Sequence, residues 1–311
     1  MGMKCIGVDI GGTSVKIGLF ETTGELLDKW EVKTRKEDGG VNILPDVAAS
    51  IRKKLDEKGL DLKKDVAGAG MGVPGPVMPD GYVEVCVNLG WRDLNPQEEL
   101  SRLLDGIPVK SGNDANVAAL GEMWQGGGKG YSDLVMVTLG TGVGGGIIID
   151  GKIYAGMRSM GAELGHTLLV LEGEHCTCGR DGCWEAYASA TALIRQAKRA
   201  GEQHPESALH GREELTALDV FQAADAGDAA AQAVIDRWCV YVAAGMTDLV
   251  NSLAPEMILI GGGISRQGER ILSPIREYVA EHCFGGREGA VPIIAAAKLG
   301  NEAGIIGAAA L

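Results

Sequence analysis

A strand, a glycine turn and a second strand occur twice in this chain, and that repeat restricts the fold to one built on two equivalent halves. Residues 5 to 20 run Cys5-Ile-Gly-Val-Asp9-Ile-Gly11-Gly12-Thr13-Ser-Val-Lys16-Ile-Gly-Leu-Phe20. A β-branched run, a Gly-Gly turn and another apolar run in this order read as a β-hairpin. Residues 134 to 149 repeat the plan as Leu134-Val-Met-Val-Thr138-Leu-Gly140-Thr141-Gly142-Val-Gly-Gly-Gly-Ile-Ile-Ile149, with Gly140 in the place of Gly11. Asp150-Gly151 then marks a further hairpin turn. A single duplication of long period predicts an α/β chain of two lobes, with mixed sheets in a duplicated core and a cleft between the copies.

The remaining periodicity fits that plan. Leu44, Val47, Ile51 and Leu55 share one helical face, so 44 to 58 is expected to be an amphipathic helix before a strand at Val66 to Val73. Ile107 to Ser111 reads as a strand entering a helix from Asp114 to Trp124. Helices are expected over 185 to 200, 228 to 253 and 270 to 283. Strands are expected at Met257 to Ile260 and Val291 to Ala295, and a terminal helix from Glu302. Alternating strands and helices describe α/β lobes. At 311 residues the chain is too long for one typical core, so two domains are expected. Its formal charge of −13 argues against a nucleic-acid binder, which needs a basic face to displace counterions. Lys4, Asp9 and Lys16 interrupt any leader-like apolar run, and no stretch reaches the ~18 apolar residues that cross a bilayer. A cytoplasmic protein without membrane partners is expected.

Glycine turns between strands expose backbone N–H groups to which phosphate oxygens can bind. None of them is a P-loop, and none is a dinucleotide fingerprint leading from strand to helix. One such turn could be a tight hairpin and nothing more; two in register, each carrying a threonine, point to phosphate. Asp9 adds a carboxylate suited to magnesium or its waters, or an Asx-turn, and Thr13 and Thr141 add hydroxyl donors. Gly112-Asn113-Asp114 stands where a strand meets a helix. It is either an N-cap or a carboxylate placed to orient a hydroxyl and accept its proton.

Glu163-Leu-Gly-His166 and Cys176-Thr-Cys178-Gly-Arg-Asp-Gly-Cys183-Trp-Glu185 gather one imidazole and three thiols into a short span. His166, Cys176, Cys178 and Cys183 make a tetrahedral zinc set, with Gly179 and Gly182 available for the positive φ angles of a tight knuckle. His175 is a rival ligand, but it abuts Cys176, and adjacent residues rarely face one ion. Four protein ligands leave no open position, which favours a structural zinc over a zinc hydrolase with Glu163 as its acid-base. Cys5, Cys86, Cys239 and Cys283 are isolated and read as packing thiols.

Together these strings resemble the ROK family of sugar kinases, within the superfamily that shares the actin, hexokinase and heat-shock ATPase core, and the resemblance spans essentially the whole chain. It implies a two-lobed actin/hexokinase-like ATPase fold. Residues 1–119 with the helix 300–311 would form the smaller lobe, and 120–299 the larger lobe with the knuckle. It further implies ATP with Mg²⁺, held by Asp9, Gly11, Gly12, Thr13 and Lys16, by Thr138, Gly140, Thr141 and Gly142, and by Gly261, Gly262 and Gly263 beside adenosine. Asp114 would be the base, and Asn88, Asn113, Glu163, His166 and Glu185 would bind the sugar hydroxyls with it. Val87-Asn88-Leu-Gly-Trp91 and the Glu-x-Gly-His segment look most like bacterial glucokinases, implying transfer to the 6-hydroxyl of D-glucose. Relatives phosphorylate N-acetylmannosamine, N-acetylglucosamine, fructose or allose, and some use polyphosphate. The family also holds sugar-sensing repressors with a preceding helix-turn-helix, which is not expected here because the chain starts a few residues before Asp9. It commonly forms homodimers or larger homo-oligomers; the stripe Val234, Trp238, Val242 and Met246 is a candidate interface as well as candidate core.

Overall fold

The computed structural model describes residues 2–311. The chain begins with a three-strand meander, β1 (Lys4–Ile10), β2 (Ser14–Glu21) and β3 (Leu26–Lys33). Then come α1 (Ile43–Glu57), the single turn α2 (Leu62–Asp65), β4 (Val66–Val73), the hairpin β5 (Val83–Cys86) and β6 (Trp91–Leu94), α3 (Pro96–Leu103), β7 (Val109–Asn113) and α4 (Asp114–Gln125). A second meander follows, with β8 (Leu134–Leu139), β9 (Val143–Ile149) and β10 (Lys152–Ile153). After it come α5 (Glu185–Ala188), α6 (Ala190–Gln203), α7 (Ala217–Asp225), α8 (Ala229–Leu253), β11 (Met257–Gly261), α9 (Glu269–His282), β12 (Ile293–Ala296) and α10 (Ala303–Ala309).

The duplication legible in the glycine hairpins extends to whole sheets. One sheet has the order β3-β2-β1-β4-β7 and the other β10-β9-β8-β11-β12. In the first, β1 is antiparallel to β2 and parallel to β4, which is parallel to β7. In the second, β11 is parallel to both β8 and β12. Each sheet is therefore a meander extended by two parallel strands that helical crossovers supply. By contacts the chain divides into two compact units, one of Met1–Asp133, Gly146–Ala162 and Lys298–Leu311, the other of Leu134–Gly145 and Glu163–Ala297.

In the first unit Ile6, Val8, Ile17, Leu19 and Met71 are buried with Val47 and Ile51 of α1 and Leu100 of α3. Each such side chain contributes roughly 1.5–3 kcal/mol by leaving water. Strands β1 and β4 also carry α10, and the contact depends on missing side chains. A Cβ on Gly7 would lie 1.9 Å from the Ile305 carbonyl oxygen, and one on Gly70 1.8 Å from that of Ala308. Backbone cannot yield as a side chain can, so Gly70→Ala is expected to lose about 1–3 kcal/mol or more through overpacking, read as a lower urea midpoint.

In the second unit α8 is the central helix, packed by α5, α6, α7 and α9. The stripe Val234, Trp238, Val242 and Met246 is buried there, so it serves the core and offers no face to a second copy. The helical pattern expected over 185–200 breaks at Ser189, whose extended backbone and side-chain acceptance from Ala192 N–H start a new helix. The last strand begins at Ile293 rather than Val291, just after Pro292, which lacks a ladder donor. Among the described residues no helix is long and apolar enough to cross a membrane.

Candidate active site and metal centre

Asp9 lies one residue from the end of β1, register-paired with Lys16 of β2. Its carboxylate abuts Gly304 of α10, where a Cβ would come within 2.6 Å of Cγ. Burial pushes the Asp9 carboxyl above its ordinary value, and Lys16 opposes that shift. The following loop is pinned from β3's end. The Thr34 hydroxyl donates to Gly11 O at 2.7 Å, its backbone N–H donates to Thr13 O at 3.0 Å, and Gly11 N–H donates to Ser14 O at 3.1 Å. A Cβ on Gly12 would meet nothing within 4 Å. The fold does not need glycine there for packing, and the bare backbone leaves room for a phosphate.

Asp114 opens α4, but it is not the cap. Asn113 Oδ1 accepts from Ala115 N at 3.0 Å and Asn116 N at 3.2 Å, and Asn113 Nδ2 donates to Gly75 O at 3.3 Å. Capping is thus supplied by the neighbour. A Cβ placed on Gly72 of β4 would be 3.6 Å from Asp114 Cα and 3.6 Å from Asp9 Oδ1, so the two acids flank one glycine. Cys86 joins this group: its thiol lies 3.3 Å from Pro74 O, and burial pushes its pKa up. The backbone N–H groups of Leu89 and Asn88 oppose that shift, while Asp114 adds to it. The first unit therefore brings Asn88, Asn113, Asp114 and Asp9 to one end of its parallel strands.

In the second unit the loop 140–142 is held by the start of α6. Gly140 O accepts from Ala190 N at 2.8 Å, Thr141 O accepts from the Thr191 hydroxyl at 2.8 Å, and Gly140 N donates to Gly142 O at 3.0 Å. Thr138 stands near the end of β8 and Gly261 ends the neighbouring β11. Gly262 takes φ 87°, and a Cβ there would lie 2.2 Å from Leu139 O. Gly140 and Gly263 face open space in the same sense as Gly12.

The knuckle forms as its glycines require, with φ 90° at Gly179 and 82° at Gly182. His166, Cys176, Cys178 and Cys183 place one ligand atom each within 4.8 Å of one another. Cys178 and Cys183 sulfurs are 3.6 Å apart, and Cys176 Sγ is 3.7 Å from His166 Nδ1. A tetrahedron with Zn–S near 2.3 Å has edges of about 3.8 Å, so the donor set fits zinc. All seven cysteines are free of disulfides. Burial raises the Cys183 thiol, whereas the Arg180 backbone N–H lowers the exposed Cys178; thiolate ligation overrides the first and uses the second. His175 is exposed, with Nδ1 2.9 Å from Asp181 Oδ1, and lies outside the set.

Glu163 precedes a single 3₁₀ turn, Leu164–His166, in which His166 N–H donates to Glu163 O at 3.0 Å. Glu185 begins α5. Its Oε2 accepts from Val143 N at 2.8 Å and its Oε1 lies 3.8 Å from Cys176 Sγ, so one carboxylate spans from the knuckle to the 140–142 loop. Trp184 holds that position by donating Nε1–H to Tyr241 O at 2.9 Å. Thr34 and Thr191, which pin the two glycine loops, carry no signal in the sequence, since each reaches its loop only through the folded sheet or helix.

The sequence model of the ROK family matches residues 5–311. A glucokinase of Halalkalibacterium halodurans is 42% identical, over 97% of this chain and 92% of that protein. A ROK family glucokinase of Streptomyces griseus, solved with glucose and AMPPNP, is 35% identical with a TM-score of 0.76, covering 99% of this chain and 98% of that one. A ROK hexokinase of Thermus thermophilus superposes with a TM-score of 0.83 at 32% identity, covering 99% and 97%. With both glycine hairpins, the capped acid and the Cys/His knuckle inside that match, the chain belongs to the ROK family.

Proposed function

We propose that this chain is a hexose kinase that transfers the γ-phosphate of ATP to the 6-hydroxyl of D-glucose, giving glucose 6-phosphate. The observation that carries the reading is the pair Asp9 and Asp114 flanking Gly72, in a chain 42% identical to a glucokinase. Asp114 orients the 6-hydroxyl and accepts its proton. At the start of α4 it has chiefly to hold the hydroxyl in line, because in a loose transition state the proton leaves late and orientation dominates. The N–H groups of Gly12 and Thr13 and of Thr141 and Gly142, in the loops that begin at Gly11 and Gly140, with Lys16, Thr138 and the hydroxyls of Thr13 and Thr141, bind phosphates, and Gly261 to Gly263 lie beside adenosine. Bound Mg²⁺ would neutralise charge on the transferring phosphates, with Asp9 as the residue that holds it or its waters.

Asn88, Asn113, Glu163, His166 and Glu185 hydrogen-bond the sugar hydroxyls in this reading. With His166 Nδ1 turned to the sulfurs, the proton of the neutral ring sits on Nε2 and can be donated to a sugar oxygen. Zinc, held by His166, Cys176, Cys178 and Cys183, supplies structure and no bond-making chemistry. The free thiols fit a reducing, cytoplasmic compartment, and a homodimer or larger homo-oligomer is checked by analytical ultracentrifugation.

A coupled assay of glucose, mannose, fructose, N-acetylmannosamine and N-acetylglucosamine, each with ATP and with polyphosphate, tests the reading. Glucose with ATP is expected to give the highest kcat/KM. A higher value for an N-acetylated sugar, or for polyphosphate, overturns the substrate or the donor.

A further inference from the structure

Glu122, two turns along α4 from Asp114, is 0% exposed and takes no part in the chemistry described above. Its Oε2 accepts from Gly127 N at 2.8 Å and from Lys298 N at 3.1 Å, and its Oε1 accepts from Leu299 N at 2.7 Å. One buried carboxylate thus fastens the segment that leaves α4 to the segment that leads into α10. Charge-assisted bonds to backbone N–H groups are the stronger kind, and an amide in the same place would turn donor against donor.

The two helices so joined also meet backbone to backbone. A Cβ on Gly121 would lie 2.3 Å from Ala303 O, and one on Gly307 1.7 Å from Val117 O. Helix α4 starts at Asp114, and α10 carries Gly304 against the Asp9 carboxylate. Whatever fixes α10 along α4 therefore fixes Asp9 relative to Asp114. The glycines let the helices come this close but make no directed bond between them; Glu122 makes three.

We infer that Glu122 is a positioning residue for phosphoryl transfer, clamping α4 and α10 so that the Asp114 and Asp9 carboxylates keep their spacing. The inference rests on the kinase reading. Gly126 offers an independent way to disturb the clamp, because a Cβ there would lie 2.1 Å from Glu122 Oε2 and 2.8 Å from its Cδ, displacing the carboxylate while leaving it in the chain.

The test compares Glu122→Gln and Gly126→Ala with the wild type as zinc-loaded full chains. It uses steady-state kinetics with glucose and ATP, calorimetric titration of glucose, and hydrogen exchange of the amides at 127, 298 and 299. Both variants are expected to lower kcat about 10- to 100-fold, to hold glucose affinity within about threefold, and to exchange those amides faster, because small misplacement of reacting groups costs rate before binding. Unchanged kcat with deprotected amides overturns the inference. So do a parallel fall of kcat and glucose affinity, and failure of both variants to fold, since either assigns Glu122 to the fold alone. A wild type inactive on glucose fails the substrate reading only, and the comparison is then made on the sugar that the panel identifies.

Discussion

Asp114→Asn is expected to lower kcat about 10²- to 10⁴-fold while changing glucose affinity by no more than a few fold, the pattern of a lost proton acceptor. The amide keeps the size and polarity of the side chain and loses its charge. Two structural facts make this substitution a clean one. Asn113 supplies the cap of α4 through Ala115 N and Asn116 N, so the helix start survives the change. Asp114 Oδ1 itself accepts from Ala115 N at 2.8 Å, a role that an amide oxygen can fill. Pre-steady-state measurement of glucose 6-phosphate separates the chemical step from product release. Retention of more than about a tenth of wild-type kcat would reduce Asp114 to a second polar group at a helix terminus that Asn113 already caps.

Loss of zinc is expected to cost substrate affinity more than fold. Cys178→Ser or Cys183→Ser should lose the metal and raise the glucose Kd about 10-fold or more, the usual scale for a disrupted metal shell. Two groups carry the effect. His166 faces the sulfurs through Nδ1, and its tautomer is released when the metal leaves. Glu185 stands 3.8 Å from Cys176 Sγ and depends on the knuckle for its place at the start of α5. Nucleotide binding should change less. The Gly11 loop belongs to the first unit, whereas the Gly142–Val143 backbone is tied to Glu185 and transmits part of the disturbance. Calorimetry on metal-free, still-folded protein decides the matter: unchanged glucose affinity would make the zinc a remote staple and leave His166 without a link between metal and sugar.

Much of the fold was legible because its strongest signals are periodic or local. The two hairpins, the cap at Asn113 and the Cys-x-Cys knuckle each fit within twenty residues, and local geometry decides them. Strand β3 gives no such signal, because its LLDKWEVK pattern alternates charge with bulk at a sheet edge and lacks a continuous apolar run. Helix α7 is not among the expected helices, and the Thr216/Asp219 capping box that starts it is found only in the folded chain. The break at Ser189 lay inside an unbroken helical pattern. Glu122 was the hardest case, since a glutamate on an amphipathic helix reads as a solvated face, and its burial comes from backbone N–H groups contributed by residues 298 and 299. Side chains whose partners lie far along the chain leave no trace in spacing.

The docking of α10 on Gly7 and Gly70 also bears on the order in which the protein is made. Strands β1 and β4 are translated well before the helix that covers them. Until α10 is made, the nascent first sheet has one face without its cover. The second unit, which lies between, can complete its own packing beforehand, since every residue of Leu134–Gly145 and Glu163–Ala297 precedes Lys298. The second unit is therefore expected to fold before the first, the reverse of the usual N-terminal-first order, and the uncovered opening strands would then show protease sensitivity in nascent chains that lack α10.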